Sequence, residues 1–132
     1  MSDFDDATAA DWLNGHAFAT SNQACATHVR LALHAGGIDI PAVPARRDAK
    51  NYGSLLIEQG FVELSPAEQI LPARGDVAVI QPYAGGNPAG HVTMYTGQQW
   101  VSDFRQTDMW SGPGYRTHKP PFKVYRWRGA QP

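Results

Sequence analysis

The pattern of this chain changes at Gly75, and that change limits its fold more than any other feature. Before Gly75, apolar residues recur at helical spacing between capping and stop signals; after it, short β-rich runs alternate with glycine- and proline-bearing turns. Asp76-Val77-Ala78-Val79-Ile80 is an apolar run bounded by Gly75 and Pro82. His91 to Tyr95 reads as a second strand, with His91, Thr93 and Tyr95 on one face and Val92 and Met94 on the other. A turn at Thr96-Gly97-Gln98 leads into a third strand, Gln99 to Phe104. Arg105 to Pro121 is a long aromatic, glycine-rich loop, and Phe122 to Trp127 is the closing strand. Helices followed by antiparallel strands make an α+β arrangement. Thirteen glycines and ten prolines in 132 residues suit such a turn-rich build and not a helical bundle, and the length fits one domain, residues 1–132.

The helical half has three members. Ser2 to Asn14 takes Ser2 or Asp3 as its cap and carries Asp3, Asp5 and Asp6 in its first turn, where the helix dipole favours acid. Trp12 and Leu13 anchor it, and Gly15 ends it. Ser21 to Gly37 is the second helix, capped by Ser21 or Asn22 and stopped by Gly36 in the left-handed conformation. Cys25, Val29, Ala32 and Leu33 share one of its faces, which therefore packs on the domain. Ile38 to Asp48, with Pro41 and Pro44, reads as a surface loop. Ala49 to Gln59 is the third helix, with Tyr52, Leu55, Leu56 and Gln59 near one face and Gly60 as its stop. Phe61 to Leu64 is a short extended piece, and Ser65-Pro66-Ala67-Glu68 is a capping box opening a single turn before Pro72.

Composition removes several functions. A formal net charge of −1 supplies no basic field for nucleic acid or an anionic membrane surface. No apolar run approaches the roughly 20 residues of a membrane span. The acidic start, Met1 to Asp6, is not a classical secretory signal, so the chain is expected to be made in the cytoplasm and to act as a monomer. A single cysteine excludes an internal disulfide and a multi-cysteine zinc site.

That cysteine, Cys25, lies in the first turn of its helix, where the partial positive charge favours the nucleophilic thiolate. The alternative is a small buried thiol. His91 opens a strand after the flexible Tyr83 to Gly90 loop, and Asp103 follows twelve positions later. A simple hairpin centred on Gly97 pairs His91 with Asp103 on one face. A carboxylate beside an imidazole fixes its tautomer and raises its basicity, and the imidazole can then take a proton from a thiol. Asp108 is the reserve orienter. His28 sits one turn after Cys25, a spacing that suits a packed or solvated histidine better than a base. A zinc site from Cys25, His28 and His91 lacks the second cysteine such sites use. His16, His34 and His118 have no partner pattern and belong at the surface.

Arg74-Gly75-Asp76-Val77-Ala78-Val79-Ile80, then Gly90-His91-Val92-Thr93-Met94-Tyr95-Thr96-Gly97, resembles the strand signature of the NlpC/CHAP group of papain-like cell-wall hydrolases. Gln23-Ala24-Cys25-Ala26-Thr27-His28-Val29-Arg30 is similar to their nucleophile helix, and the likeness runs from about Ser21 to Phe104. The resemblance implies a papain-like fold, an antiparallel sheet with the cysteine helix packed on it. It also implies cleavage of an amide bond in the peptide stem or crosslink of peptidoglycan through a thioester, with Cys25 as nucleophile, His91 as general base and acid, and Asp103 as orienter. Asp76 would be structural. The backbone N–H of Cys25 is the oxyanion donor, with Gln23 as a candidate side-chain donor. Trp110 and Tyr115 either line a substrate groove or pack in the loop. No metal or organic cofactor is needed. Small members of this kind are similar to type VI secretion amidase effectors and to phage-associated hydrolases. The effector reading implies export to the periplasm of a target cell and a cognate immunity protein. The same three residues also suit a protein deamidase or acyltransferase, and the fold also suits a catalytically silent binding module.

Overall fold

The computed structural model describes residues 4–18, 25–40 and 48–129. Helix α1 spans Asp6–His16 and buries Ala9, Ala10 and Leu13. It is capped by Asp5, whose carboxylate accepts from the backbone N–H (3.0 Å) and hydroxyl (2.8 Å) of Thr8. The helix therefore starts four residues later than the acidic run suggests. Phe4 stays outside it, with its ring against Phe61 (5.5 Å between centroids) and Trp127 (6.3 Å). Ser2 and Asp3 lie outside the described residues. Gly15 does not end the helix; His16 continues it, bonded through Nδ1 to the Trp12 carbonyl (2.7 Å) and stacked on the Trp12 ring.

Helix α2, Cys25–Ala35, buries Val29, Ala32 and Leu33 on one face. Its stop is Gly37 (φ +97°) and not Gly36. The Ile38 N–H closes onto the Leu33 carbonyl (2.8 Å) and the Gly37 N–H onto that of His34 (3.0 Å), a Schellman-type ending. Gly36 serves by its lack of a side chain: a Cβ there would lie 2.7 Å from the Asp5 carbonyl oxygen and 2.8 Å from the Phe4 ring. The proposed caps Ser21 and Asn22, and the prolines 41 and 44, fall outside the described residues. A 3-10 turn, Ala49–Asn51, runs into α3, Tyr52–Glu58, which buries Tyr52, Leu55 and Leu56. Among the described residues no helix is long and apolar enough to cross a membrane.

The strands are β1 (Phe61–Glu63), β2 (Val77–Ile80), β3 (His91–Tyr95), β4 (Trp100–Val101) and β5 (Phe122–Trp127). They form one antiparallel sheet in the order β1-β5-β2-β3-β4. Val77, Val79, Val92, Met94 and Val101 join Leu13, Val29, Leu33, Leu55 and Leu56 in the main core, so the helices pack on one face of the sheet. Ala78 and Val124 point the other way and meet Leu64, Trp100, Met109 and Phe122. This is the α+β, papain-like arrangement of helices on an antiparallel sheet. Two short helices complete it. Helix α4, Pro66–Gln69, opens with the capping box read from its sequence. Helix α5, Pro113–His118, falls in the segment read as loop; proline opens it and Lys119 closes it at φ +44°.

Asp76 ties the start of β2 to β5. Its fully buried carboxylate accepts from the Ala73 N–H (2.9 Å) and, in bidentate fashion, from Arg126 Nε (2.9 Å) and Nη2 (2.8 Å).

The β3–β4 hairpin differs from expectation. Its turn spans four residues, with the Thr96 N–H bonded to the Gln99 carbonyl at 2.9 Å, and it pairs Met94 with Val101 and Tyr95 with Trp100. That register places His91 opposite position 104, so the pairing of His91 with Asp103 does not form. Strand β4 also stops at Val101, because Ser102 to Phe104 fold the chain back, with Val101 bridged to Arg105 and the Gln106 N–H bonded to the Trp100 carbonyl (3.0 Å).

Candidate active site

Cys25 is the first residue of α2, and the packing of that helix on β3 sets its position. Strand β4 covers only Met94 and Tyr95 of β3, so among the described residues no strand lies on that edge at Val92. The Val92 N–H reaches the Cys25 sulfur instead. The nucleophile candidate thus meets the backbone one residue after His91. The segment leading toward α2 is fixed to the Asp103 turn: the Phe18 N–H donates to the Asp103 carbonyl (2.8 Å), and the Arg105 N–H donates to the Phe18 carbonyl (3.4 Å).

His91 is buried, and its Nε2 lies 2.8 Å from Oε1 of Gln106. The amide of Gln106 is itself pinned, since its Nε2 donates to the backbone carbonyls of Asp108 (2.8 Å) and Met109 (3.3 Å). With the amide nitrogen spent on carbonyls, Oε1 is an acceptor and His91 Nε2 must carry the hydrogen. This network assigns the tautomer and leaves Nδ1 as the basic nitrogen. Gln106 escaped the sequence reading because only acidic orienters were sought; papain-like enzymes also use a neutral amide in this place.

Asp103 is fully buried and accepts from the Ser102 hydroxyl (3.3 Å). Its charge acts on both His91 and Cys25. The expected reserve, Asp108, sends its carboxylate to Arg116 Nε (2.9 Å) and the Trp110 N–H (3.1 Å), and only its carbonyl reaches the site, through Gln106.

Burial is the dominant electrostatic influence. It pushes the Cys25 thiol up, with Asp103 adding to the rise and the N–H groups of Val92, Ala26 and Cys25 opposing it. It pushes His91 down, against the raising influence of Gln106 and Asp103. Both influences favour a neutral thiol and a neutral imidazole, and desolvation works against the thiolate that a helix start favours.

Tyr115, on α5, brings its ring to 5.9 Å from that of His91, and its hydroxyl is buried with no hydrogen-bond partner among the described residues. Tyr115 rests edge-on against Tyr83 (4.9 Å), which also stacks on His118 (4.5 Å). Trp110 packs edge-on against Phe122 of β5 (5.2 Å). His28 packs against Trp12 and Phe18. Gln23 lies outside the described residues. His91 thus has the Gln106 amide on Nε2 and the Tyr115 ring beside it, and Asp103 lies within electrostatic reach of both His91 and Cys25.

No protein-family model and no curated protein matches this chain. Two solved structures are similar to it over nearly its whole length, both crystal structures of the type VI effector–immunity complex Tae3–Tai3 from Ralstonia pickettii. The native complex matches at 39% identity over 93% of this chain and 98% of the matched one, with a TM-score of 0.83. The selenomethionine complex matches at 39% identity over 90% and 99%, with a TM-score of 0.80.

Proposed function

This chain belongs to the family of the type VI effector Tae3, and on that premise we propose that it is a papain-like cysteine amidase of the NlpC/CHAP kind. Its substrate is an amide bond in the peptide stem or crosslink of peptidoglycan. Cys25 is the nucleophile, His91 the general base and then acid, Gln106 the orienter of His91, and Asp103 the buried counter-charge to the imidazolium. The observation that carries this reading is the pinned Gln106 amide on His91 Nε2, which leaves Nδ1 unprotonated, together with the interaction of the Cys25 sulfur with the backbone N–H of Val92, the next residue.

The chemistry follows from a neutral pair. As the Cys25 sulfur adds to the substrate carbonyl carbon, its proton passes to His91 Nδ1 and the carbonyl π electrons move to oxygen. The backbone N–H of Cys25 donates to the developing oxyanion. The imidazolium is stabilised by Asp103 and by the Gln106 oxygen. It then protonates the leaving amine as the C–N bond breaks, leaving a thioester. Water, deprotonated by His91, releases the acid and restores the thiol. The chain's own groups supply every proton transfer, so no cofactor enters the scheme.

As an effector, the protein is made in the cytoplasm and delivered by type VI secretion to the wall of a target cell. A cognate immunity protein is its partner in the producing cell, as Tai3 is for Tae3 in the similar structures. Digestion of purified bacterial sacculi, with released fragments read by mass spectrometry, tests the reading. Wild type should release peptide fragments and Cys25→Ala none; equal release by both would end it.

A further inference from the structure

A buried phenol with no partner among the described residues stands beside His91. The Tyr115 hydroxyl is shielded from solvent and makes no hydrogen bond among the described residues. Buried polar atoms in folded proteins are nearly always paired, so an orphan beside a candidate general base marks a place where another group arrives. Its surroundings hold it there. The Tyr115 ring lies 5.9 Å from His91 and edge-on to Tyr83 at 4.9 Å. Tyr83 is slotted between Gly86 and Gly114, where a Cβ on either residue would collide with its ring, and it stacks on His118. Arg116, the next residue of α5, bonds Asp108, whose carbonyl holds the Gln106 amide. One short helix therefore aims the phenol and is tied to the group that orients the imidazole. The Tyr115 hydroxyl also lies within electrostatic reach of the Cys25 sulfur.

We propose that the Tyr115 hydroxyl is a catalytic hydrogen-bond donor to the oxyanion formed when the Cys25 sulfur adds to the substrate carbonyl. This rests on the amidase reading above. The phenol keeps its proton throughout. In the addition step the S–H proton goes to His91 Nδ1, the S–C bond forms, and the carbonyl oxygen that takes the negative charge accepts from Tyr115 and from the Cys25 N–H. On collapse the C=O bond returns, the C–N bond breaks and the amine takes the proton from His91. Burial first, then Cys25 and Tyr83, push Tyr115 up to about 12, which keeps it a donor at neutral pH. The orphaned hydroxyl thus finds its partner only while an oxyanion exists, the condition for lowering a barrier and not merely for binding substrate.

Tyr115→Phe tests this, because it keeps the ring and its packing and removes one oxygen. Loss of a single oxyanion donor costs about 10²- to 10³-fold in turnover. Sacculus digestion should slow by that factor. Alkylation of Cys25 by iodoacetamide, which needs the thiol but forms no oxyanion, should keep its wild-type rate, and the melting temperature should not fall. Digestion by Tyr115→Phe at the wild-type rate overturns the proposal. So does a parallel slowing of alkylation, which would place Tyr115 on the thiol instead. A wild type that releases no fragments, or Cys25→Ala digesting like wild type, removes the amidase reading itself; these results are distinct from any seen with Tyr115→Phe.

Discussion

A neutral amide on the Nε2 side of an imidazole fixes the tautomer but gives the imidazolium no counter-charge there. In the proposed site these duties are split at His91: Gln106 holds Nε2, and Asp103 would supply the charge. The split can be measured. Gln106→Ala removes the acceptor that holds Nε2 and leaves the ring to wander, and a misplacement of about 1 Å costs roughly 10²-fold in rate. Turnover on sacculi should fall by that order while the protein still melts cooperatively. Asp103→Asn should act with opposite signs on two readouts. Asp103 raises both the Cys25 thiol and His91, so without its charge both titrate lower. Iodoacetamide alkylation should begin at lower pH than in wild type, while amide hydrolysis slows because the imidazolium is less stabilised. An alkylation profile superimposed on that of wild type would show that Asp103 does not reach the thiol. Cys25 and His91 were legible because each carries a local signal, a lone cysteine at a helix start and a histidine opening a strand. Gln106 was not, because its role exists only after the chain reverses beyond Val101, and an uncharged side chain in a loop announces nothing.

At the scale of elements, the long periodic pieces followed the sequence, as did β1 and the capped turn α4, while β4 and α5 did not. Strand β4 has two residues and α5 has six, too few for either periodicity to show. A four-residue turn in place of a simple one shifted the β3–β4 register by one position, which separates His91 from Asp103 in the ladder while the reversal at Ser102 returns Asp103 to the site's neighbourhood. The only readable sign of α5 was proline just after glycine, Gly112-Pro113. Its seat against Tyr83 is testable through Gly114. An alanine Cβ there would lie 2.6 Å from Tyr83 Cζ, so either the ring or the helix must shift. Overpacking of this kind costs about 1–3 kcal/mol. Gly114→Ala should lose more activity on sacculi than its stability loss in urea explains, because the shift carries Tyr115 away from His91. Full activity in the folded variant would mean that the seat does not set the site. Asp76→Ala is the contrasting case. Breaking a buried ion pair costs about 3–5 kcal/mol, and the partial exposure of Arg126 places this pair at the lower end, near about 3 kcal/mol. Urea unfolding should show that loss, while turnover per folded molecule stays near wild type.

For the whole molecule, the same burial that sets the chemistry sets a pH window of stability. His91 is pushed below its ordinary 6.5, so its contribution is present above 6.5 and is lost as pH falls through the lowered value, where the unfolded chain takes up the proton more readily. Cys25 is pushed above its ordinary 9.0, so its contribution is present below 9.0 and is lost as pH rises through the raised value, where the unfolded chain loses its proton first. Between these limits both groups are neutral, which is also the state the proposed reaction starts from. Stability and activity should therefore share a plateau between about pH 6.5 and 9. Tyr52, Tyr115 and Tyr125 are raised as well and also lose their contribution at the alkaline end, so the Cys25 share must be read as a difference. In urea unfolding at a series of pH values, the stability of wild type minus that of Cys25→Ser should be flat up to pH 9 and fall above it. Wild type minus His91→Gln should be flat above pH 6.5 and fall below it. Difference curves that stay level through both limits would mean that the fold shifts neither group, whereas a Cys25 contribution lost as pH falls and a His91 contribution lost as pH rises would mean that the reaction begins from an ion pair.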